Sequence, residues 1–78
     1  MKYIVKSTKR GSNKFFVQEI DFQHITMMFT LKKHGEEETD SMIEKVAFLD
    51  IGESYAHNFG EDSQDHYYGS SFLFKRIG

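Results

Sequence analysis

The stretch HGEEETDSMIEKVAFLDIGESYAHNFGEDSQDH, residues 34–66, carries the helix signal on which the predicted fold depends. It opens with an acidic run and closes in a second acidic loop. Between them, apolar residues recur at the spacing of one helix face: Met42, Ile43, Val46 and Leu49. Ser41 followed by Glu44 matches a capping box, and acidic residues suit the positive end of a helix dipole. We therefore predict a helix from Ser41 to Asp50.

This helix pattern does not continue beyond Asp50. Gly52 is a poor residue for a helix interior, and Tyr55 and Phe59 would lie on nearly the opposite side of an extended helix. We expect a break between Asp50 and Gly52, then a short turn that reaches Asn58. A buried strand over residues 45–51 is the alternative, because periodicity alone does not separate a short apolar run from a helix. The agreement between the capping signal and the acidic first turn favours the helix.

The remaining elements are predicted as strands. Residues 2–8 and 14–20 form two strands of a β-hairpin around the turn at 9–13. Residues 24–33 alternate most cleanly, as expected of a half-buried strand. Residues 66–76 carry apolar residues on both faces, which is typical of a central strand. The order βββαβ predicts one α+β domain over residues 1–78, with an antiparallel sheet of about four strands and one helix on one face.

A single helix leaves one face of this sheet uncovered. We expect apolar side chains to remain partly exposed in a monomer, among them Ile4, Phe16, Ile20, Tyr67 and Tyr68. Exposed apolar patches of this kind mark partner surfaces, so we also predict a homodimer through the second sheet face.

The chain has 78 residues and no cysteine, which excludes disulfides as a source of stability. The N-terminus lacks the apolar core of a signal peptide, and we expect a cytoplasmic protein without a membrane span.

Charge is separated along the chain. Residues 1–33 sum to +5, residues 34–65 to −9 and residues 66–78 to +2, although the net charge is only −2. Such asymmetry bears on partners and association rates rather than on the fold. An acidic surface of this size suits a basic protein partner or imitates a nucleic-acid backbone.

Our leading hypothesis is therefore a protein-interaction module, an inhibitor or adaptor without catalytic activity. The predicted partner-binding residues combine the acidic half with two aromatic residues: Glu36, Glu37, Glu38, Asp40, Glu44, Glu53, Tyr55, Glu61, Asp62, Asp65 and Tyr67. In size and composition the chain resembles the small accessory and inhibitor proteins of bacteria and their phages. No nucleophile elbow, phosphate-binding loop or paired-carboxylate motif is present, and we predict neither a catalytic residue nor a cofactor.

Two alternatives come from other residues. The first is a single-stranded nucleic-acid-binding protein, in which the cations of the hairpin neutralise phosphates and neighbouring aromatics stack on bases. It uses one basic group and one aromatic group: Lys2, Lys6, Lys9, Arg10, Lys14, Lys75 and Arg76, with Tyr3, Phe15, Phe16, Phe72 and Phe74. The second is a small metal-binding domain built on His57 and His66, whose spacing matches no established site.

Overall fold

A computed structural model describes residues 1–9, 11, 14–30, 36–60 and 70–78, without the side chains of Thr30 and Glu36. The elements run in the order β1, β2, α1, α2, β3 and β4. Their bounds are Lys2–Lys9, Phe15–Asp21, Phe22–Thr30, Glu36–Ala47, Ser54–Asn58 and Ser70–Arg76. The α+β class and the antiparallel four-stranded sheet are thus confirmed. The predicted order βββαβ is wrong, because two helices lie between the second and third strands.

The sheet has the order β2-β1-β4-β3, so β4 is central, as predicted for the last strand. The predicted hairpin is also confirmed, with Tyr3 opposite Ile20 and Thr8 opposite Phe15. β4 lies on the other side of β1, with Val5 opposite Phe74. Of the predicted last strand, residues 66–69 lie outside the described part of the chain.

The largest correction concerns residues 24–33, predicted as a strand. The described part of this segment lies in α1, where Asp21 Oδ1 accepts a hydrogen bond from His24 N–H at 2.8 Å and so caps the helix. Ile25 and Phe29 are fully buried, whereas Met27 between them is 55% exposed. Residues four positions apart share a face in a strand and in a helix, whereas residues two positions apart share a face only in a strand. The exposure of Met27 is therefore the pattern expected of a helix.

α2 begins at Glu36, five residues before the predicted start, so Ser41 is an exposed interior residue and not a cap. Glutamate is a good helix former, and the acidic run therefore becomes the first turns of the helix instead of the loop before it. The strand alternative for residues 45–51 is wrong. The predicted apolar stripe is confirmed, since Met42 and Val46 are fully buried.

The predicted break after α2 is confirmed by a turn at residues 50–53. Glu53 N–H donates to Asp50 O at 2.9 Å, and Gly52 has a φ of +93°, a conformation that glycine adopts without strain. The short turn predicted up to Asn58 is wrong, because residues 54–58 form β3 and pair with β4. Polar residues lie on both faces of β3, so no alternation of apolar and polar residues marked this segment as a strand.

Both helices pack on one face of the sheet around an aromatic core. The buried apolar residues are Tyr3, Val5, Ile25, Phe29, Met42, Val46, Leu49, Phe59, Phe72 and Phe74. The Phe29 ring meets Phe72 edge-on, with centroids 5.1 Å apart, and lies 6.4 Å from Phe59. Phe59, expected to face away from the helix stripe, therefore joins the same core.

Tyr3 connects the sheet to the helix layer. Its hydroxyl donates to Val46 O at 3.0 Å inside the core. Burial raises the pKa of the Tyr3 phenol above its ordinary value, against the opposing effect of the positive charge on Arg76. Arg76 in turn donates from its guanidinium to Leu49 O at 2.9 Å, just beyond the C-terminal end of α2.

None of the described helices is long and apolar enough to cross a membrane.

Candidate partner-binding surface

The outer face of α2 carries a row of exposed carboxylates. Glu37, Asp40 and Glu44 are exposed at intervals of three and four residues, which places them on one side of the helix. The opposite side, centred on Met42 and Val46, is buried against the sheet. We call these three residues the acidic stripe. Three of the predicted partner-binding residues therefore share one surface, and their role in binding stays a prediction.

The acidic stripe leads to an exposed aromatic residue, Phe48. Its side chain is 78% exposed, the highest value among the large apolar residues that the structure describes as exposed. Phe48 N–H still donates to Glu44 O at 3.2 Å, so the ring is held at the end of the same helix. Ile51 in the following turn is 66% exposed. An aromatic ring in this position is surplus to the core and available to a partner.

A groove of about 450 Å³ lies between the end of α2 and β3. Its walls come from both elements: Ser41, Glu44, Lys45, Phe48, Leu49, Ser54 and Tyr55. Tyr55 is half-buried, and Lys45 Nζ lies 5.3 Å from the centre of its ring. Two of the predicted partner-binding residues, Glu44 and Tyr55, therefore meet in this groove.

Glu38 lies to one side of the acidic stripe and serves a different purpose. Its Oε2 is 3.0 Å from His57 Nε2, and His57 Nδ1 is 3.1 Å from the Tyr55 hydroxyl. With the imidazole proton on Nε2, His57 donates to the Glu38 carboxylate and accepts at Nδ1 from the Tyr55 hydroxyl. This chain of hydrogen bonds joins α2 to β3 and fixes the Tyr55 wall of the groove.

Glu53 is also engaged within the fold. Its Oε1 accepts a hydrogen bond from Asp50 N–H at 2.7 Å and so closes the turn before β3. The main-chain carbonyl of Glu53 accepts from Arg76 N–H at 3.0 Å, which ties the turn to β4. Glu53 thus supports the turn and stands apart from the acidic stripe.

Several predicted residues cannot be placed on this surface. Glu36 begins α2, but its side chain is not described. Four more lie outside the described residues: Glu61, Asp62, Asp65 and Tyr67.

Of the two histidines of the predicted metal site, His66 also lies outside the described residues. His57 already engages Glu38 and Tyr55 through its two ring nitrogens, and the described part of the chain contains no group of three metal-ligating side chains.

The basic residues are divided between the two ends of the sheet. Lys2 and Lys75 lie near the end where the chain terminates, and Lys9 and Lys14 lie at the hairpin turn. Tyr3, Phe72 and Phe74 are buried, which removes three of the five aromatic residues considered for base stacking. Phe15 remains 55% exposed, with Lys6 Nζ 4.4 Å from its ring centre.

Phe48 is the surface residue that the sequence prediction left out. The signal was present, since Phe48 falls on the opposite side of the helix from Met42 and Val46. This signal was outweighed because Phe usually fills a core, and because Phe48 directly precedes Leu49 in an apolar run.

In comparisons with known proteins, no family model, curated protein or solved structure matches the chain.

Proposed function

We propose that this chain is a protein-interaction module without catalytic activity, which binds a basic and apolar segment of a protein partner. The observation that carries the proposal is the exposed Phe48 ring at the end of the acidic stripe. An apolar anchor beside a charged rim is the usual anatomy of a protein interface. Inhibition or adaptor activity follows from such binding when the partner surface is itself functional.

The two parts of the surface contribute differently. Burying a Phe side chain that is exposed in the free protein stabilises a complex by about 1.5–3 kcal/mol. Carboxylates on an exposed helix face mainly accelerate encounter with a positive partner, an effect that salt weakens. We therefore assign affinity to Phe48 and the groove, and selection of a basic partner to Glu37, Asp40 and Glu44.

The fitting ligand is a segment with Lys or Arg residues beside one large apolar side chain. Its cations meet the acidic stripe, while the apolar side chain enters the groove between Phe48 and Tyr55. A nucleic-acid-binding protein offers a surface with cations of this kind, and the acidic stripe then takes the place of phosphates. This extends the nucleic-acid mimicry predicted from the charge distribution.

Affinity capture from a lysate of the native host tests the proposal. The immobilised wild-type chain is compared with Phe48→Ala and with Met27→Ala, which removes an equally apolar side chain that is 55% exposed on α1. A protein retained by wild type and Met27→Ala but lost with Phe48→Ala supports the proposal. Equal retention by all three chains, or no retained protein, contradicts it.

Single-stranded nucleic-acid binding is the second candidate, and the Lys6–Phe15 pair favours it. A cation 4.4 Å from the centre of an exposed ring combines phosphate neutralisation with a stacking surface. Gel-shift titrations with single-stranded DNA and RNA at low and moderate salt test it. A shift that Phe15→Ala abolishes supports this candidate, and the absence of any shift at low salt removes it.

A further inference from the structure

The outer edge of β2 directs backbone hydrogen-bonding groups away from the sheet, with no pairing strand among the described residues. Lys2 N–H donates to Gly78 O at 3.1 Å and Lys2 O accepts from Ile77 N–H at 2.8 Å, so the backbone of Lys2 points towards β4. In an antiparallel ladder these directions alternate, and Tyr3 and Val5 therefore point towards β2. Their partners Ile20 and Gln18 bond to β1.

The intervening residues of β2 thus direct their N–H and C=O groups away from the sheet: Phe15, Val17, Glu19 and Asp21. Within the described residues, no strand pairs with this edge. An edge of seven residues is a template for another strand, and protein sheets usually protect such edges with charge, proline or bulges.

The first half of β2 lacks this protection. Phe15, Phe16 and Val17 are 55%, 70% and 57% exposed, and they lie on both faces of the strand. The helices cover the middle strands, as the burial of Val5 and Phe74 shows, and leave Phe16 uncovered on the same face. A segment that pairs with this edge would be extended and would add apolar contacts on both faces of the sheet.

We propose that the occupant is β2 of a second copy, paired antiparallel about a two-fold axis at Gln18. In this register the whole strand pairs with itself, and the outward groups of Val17 face those of the partner's Glu19. On the helix face Phe16 lies opposite the partner's Ile20, so an exposed ring meets an apolar side chain. The two four-stranded sheets become one continuous sheet.

Charge complementarity selects this register. Lys6 lies opposite Val17, and its Nζ is 4.4 Å from the Phe15 ring centre. Phe15 and Val17 face the partner's Asp21 and the partner's Glu19, so the ammonium group of Lys6 lies beside two carboxylates. Shifting the two-fold axis to Glu19 places like charges opposite each other, and shifting it to Val17 sets Phe16 opposite a glutamine. Self-complementarity of this kind identifies a second copy as the occupant.

Cysteine cross-linking tests the register directly, because the chain has no cysteine of its own. Gln18→Cys places two thiols across the axis in a non-hydrogen-bonded pair, where Cα atoms lie about 4.5 Å apart and a disulfide can close. Val17→Cys tests the neighbouring register, and Ala56→Cys on the opposite edge strand β3 is the matched control. We expect oxidation to link Gln18→Cys chains rapidly and the other two variants much more slowly.

Sedimentation velocity over a concentration series measures the dimer itself. Wild type is expected to dimerise, and Val17→Pro, which removes an outward N–H without touching the β1 ladder, is expected to raise the dimer Kd at least tenfold with an unchanged circular dichroism spectrum. Lys6→Glu is expected to weaken the dimer, and Lys6→Glu combined with Glu19→Lys to restore it.

The proposal is overturned if wild type stays monomeric, or if Gln18→Cys links no faster than Ala56→Cys. If wild type is monomeric and Val17→Pro abolishes capture of another protein, the edge receives a foreign strand and the second-copy assignment is wrong. These outcomes are independent of Phe48, which lies on α2 and not on β2, so failure of either proposal leaves the other intact.

Discussion

The helix layer and the open face of the sheet both expose apolar side chains, but the charges around them differ. On the helix side, Phe48 stands at the end of the acidic stripe. On the open face, Phe15, Val17 and Leu73 lie among charges of both signs: Lys2, Lys6 and Lys75 with Glu19 and Asp21. The net charge of −2 conceals this arrangement. A small domain can therefore offer two chemically distinct surfaces, one suited to a basic partner and one whose edge is complementary to itself.

The largest expected effect comes from the core that separates the two surfaces. Phe29→Ala removes the ring that contacts Phe59, Phe72 and Phe74. We expect the free energy of unfolding to fall by about 3–5 kcal/mol, measured by urea denaturation. Because a domain of this size has little stability to spare, both surfaces should be lost together. A loss below about 1 kcal/mol would show that Phe29 is not the centre of the core.

Reversing the acidic stripe should remove the difference between the two surfaces. With Glu37→Lys, Asp40→Lys and Glu44→Lys together, we expect at least a tenfold loss of affinity for the captured partner, about 1.4 kcal/mol. Reversing Lys75 to Glu, an exposed charge on the other face, is the control and should leave affinity unchanged. Surface plasmon resonance at two salt concentrations measures both. An equal loss of affinity in both variants would contradict a specific role of the acidic stripe, because the Lys75 reversal makes the chain more acidic.

Tyr3→Phe tests how firmly the helix layer is attached to the sheet. Losing the hydrogen bond to Val46 O should cost about 1 kcal/mol. Because burial raises the pKa of Tyr3, the folded state retains the phenol proton when the unfolded chain has lost it. The stability that the raised pKa of Tyr3 contributes is therefore present in full below about pH 10 and is lost as the pH rises further. The decline should be smaller in Tyr3→Phe, as urea denaturation between pH 8 and 11 would show. An identical decline in both chains would contradict a raised pKa at Tyr3.

The elements predicted correctly are those whose residue pattern fits only one type of secondary structure. The hairpin, the buried stripe of Met42 and Val46, the central last strand and the break at Gly52 all follow from side-chain period or backbone freedom. The described part of residues 24–33 was predicted as a strand because Ile25 and Phe29 fit both periods, and the cap from Asp21 is a single hydrogen bond that only the fold makes evident. β3 was missed since its residues are mostly polar and its stability comes from pairing with β4.

The candidate surface was predictable only in part. The acidic residues were visible as a run, but the run does not say that Glu38 pairs with His57 or that Glu53 closes a turn. These contacts join segments far apart in sequence, or depend on a turn whose geometry a charge pattern does not encode. Phe48 was missed for the opposite reason, because its chemistry alone resembles that of the core. Exposure of a residue depends on the tertiary fold, and it is the property that separates Phe48 from Phe29.

The most direct test of the central claim is the affinity of Phe48→Ala for the captured partner, measured beside Met27→Ala. An exposed side chain contributes little to the fold, so both variants should unfold within about 0.5 kcal/mol of wild type. We predict that Phe48→Ala binds at least tenfold more weakly and that Met27→Ala binds as wild type does. Unchanged affinity in Phe48→Ala would contradict the claim that the end of the acidic stripe is the partner-binding site.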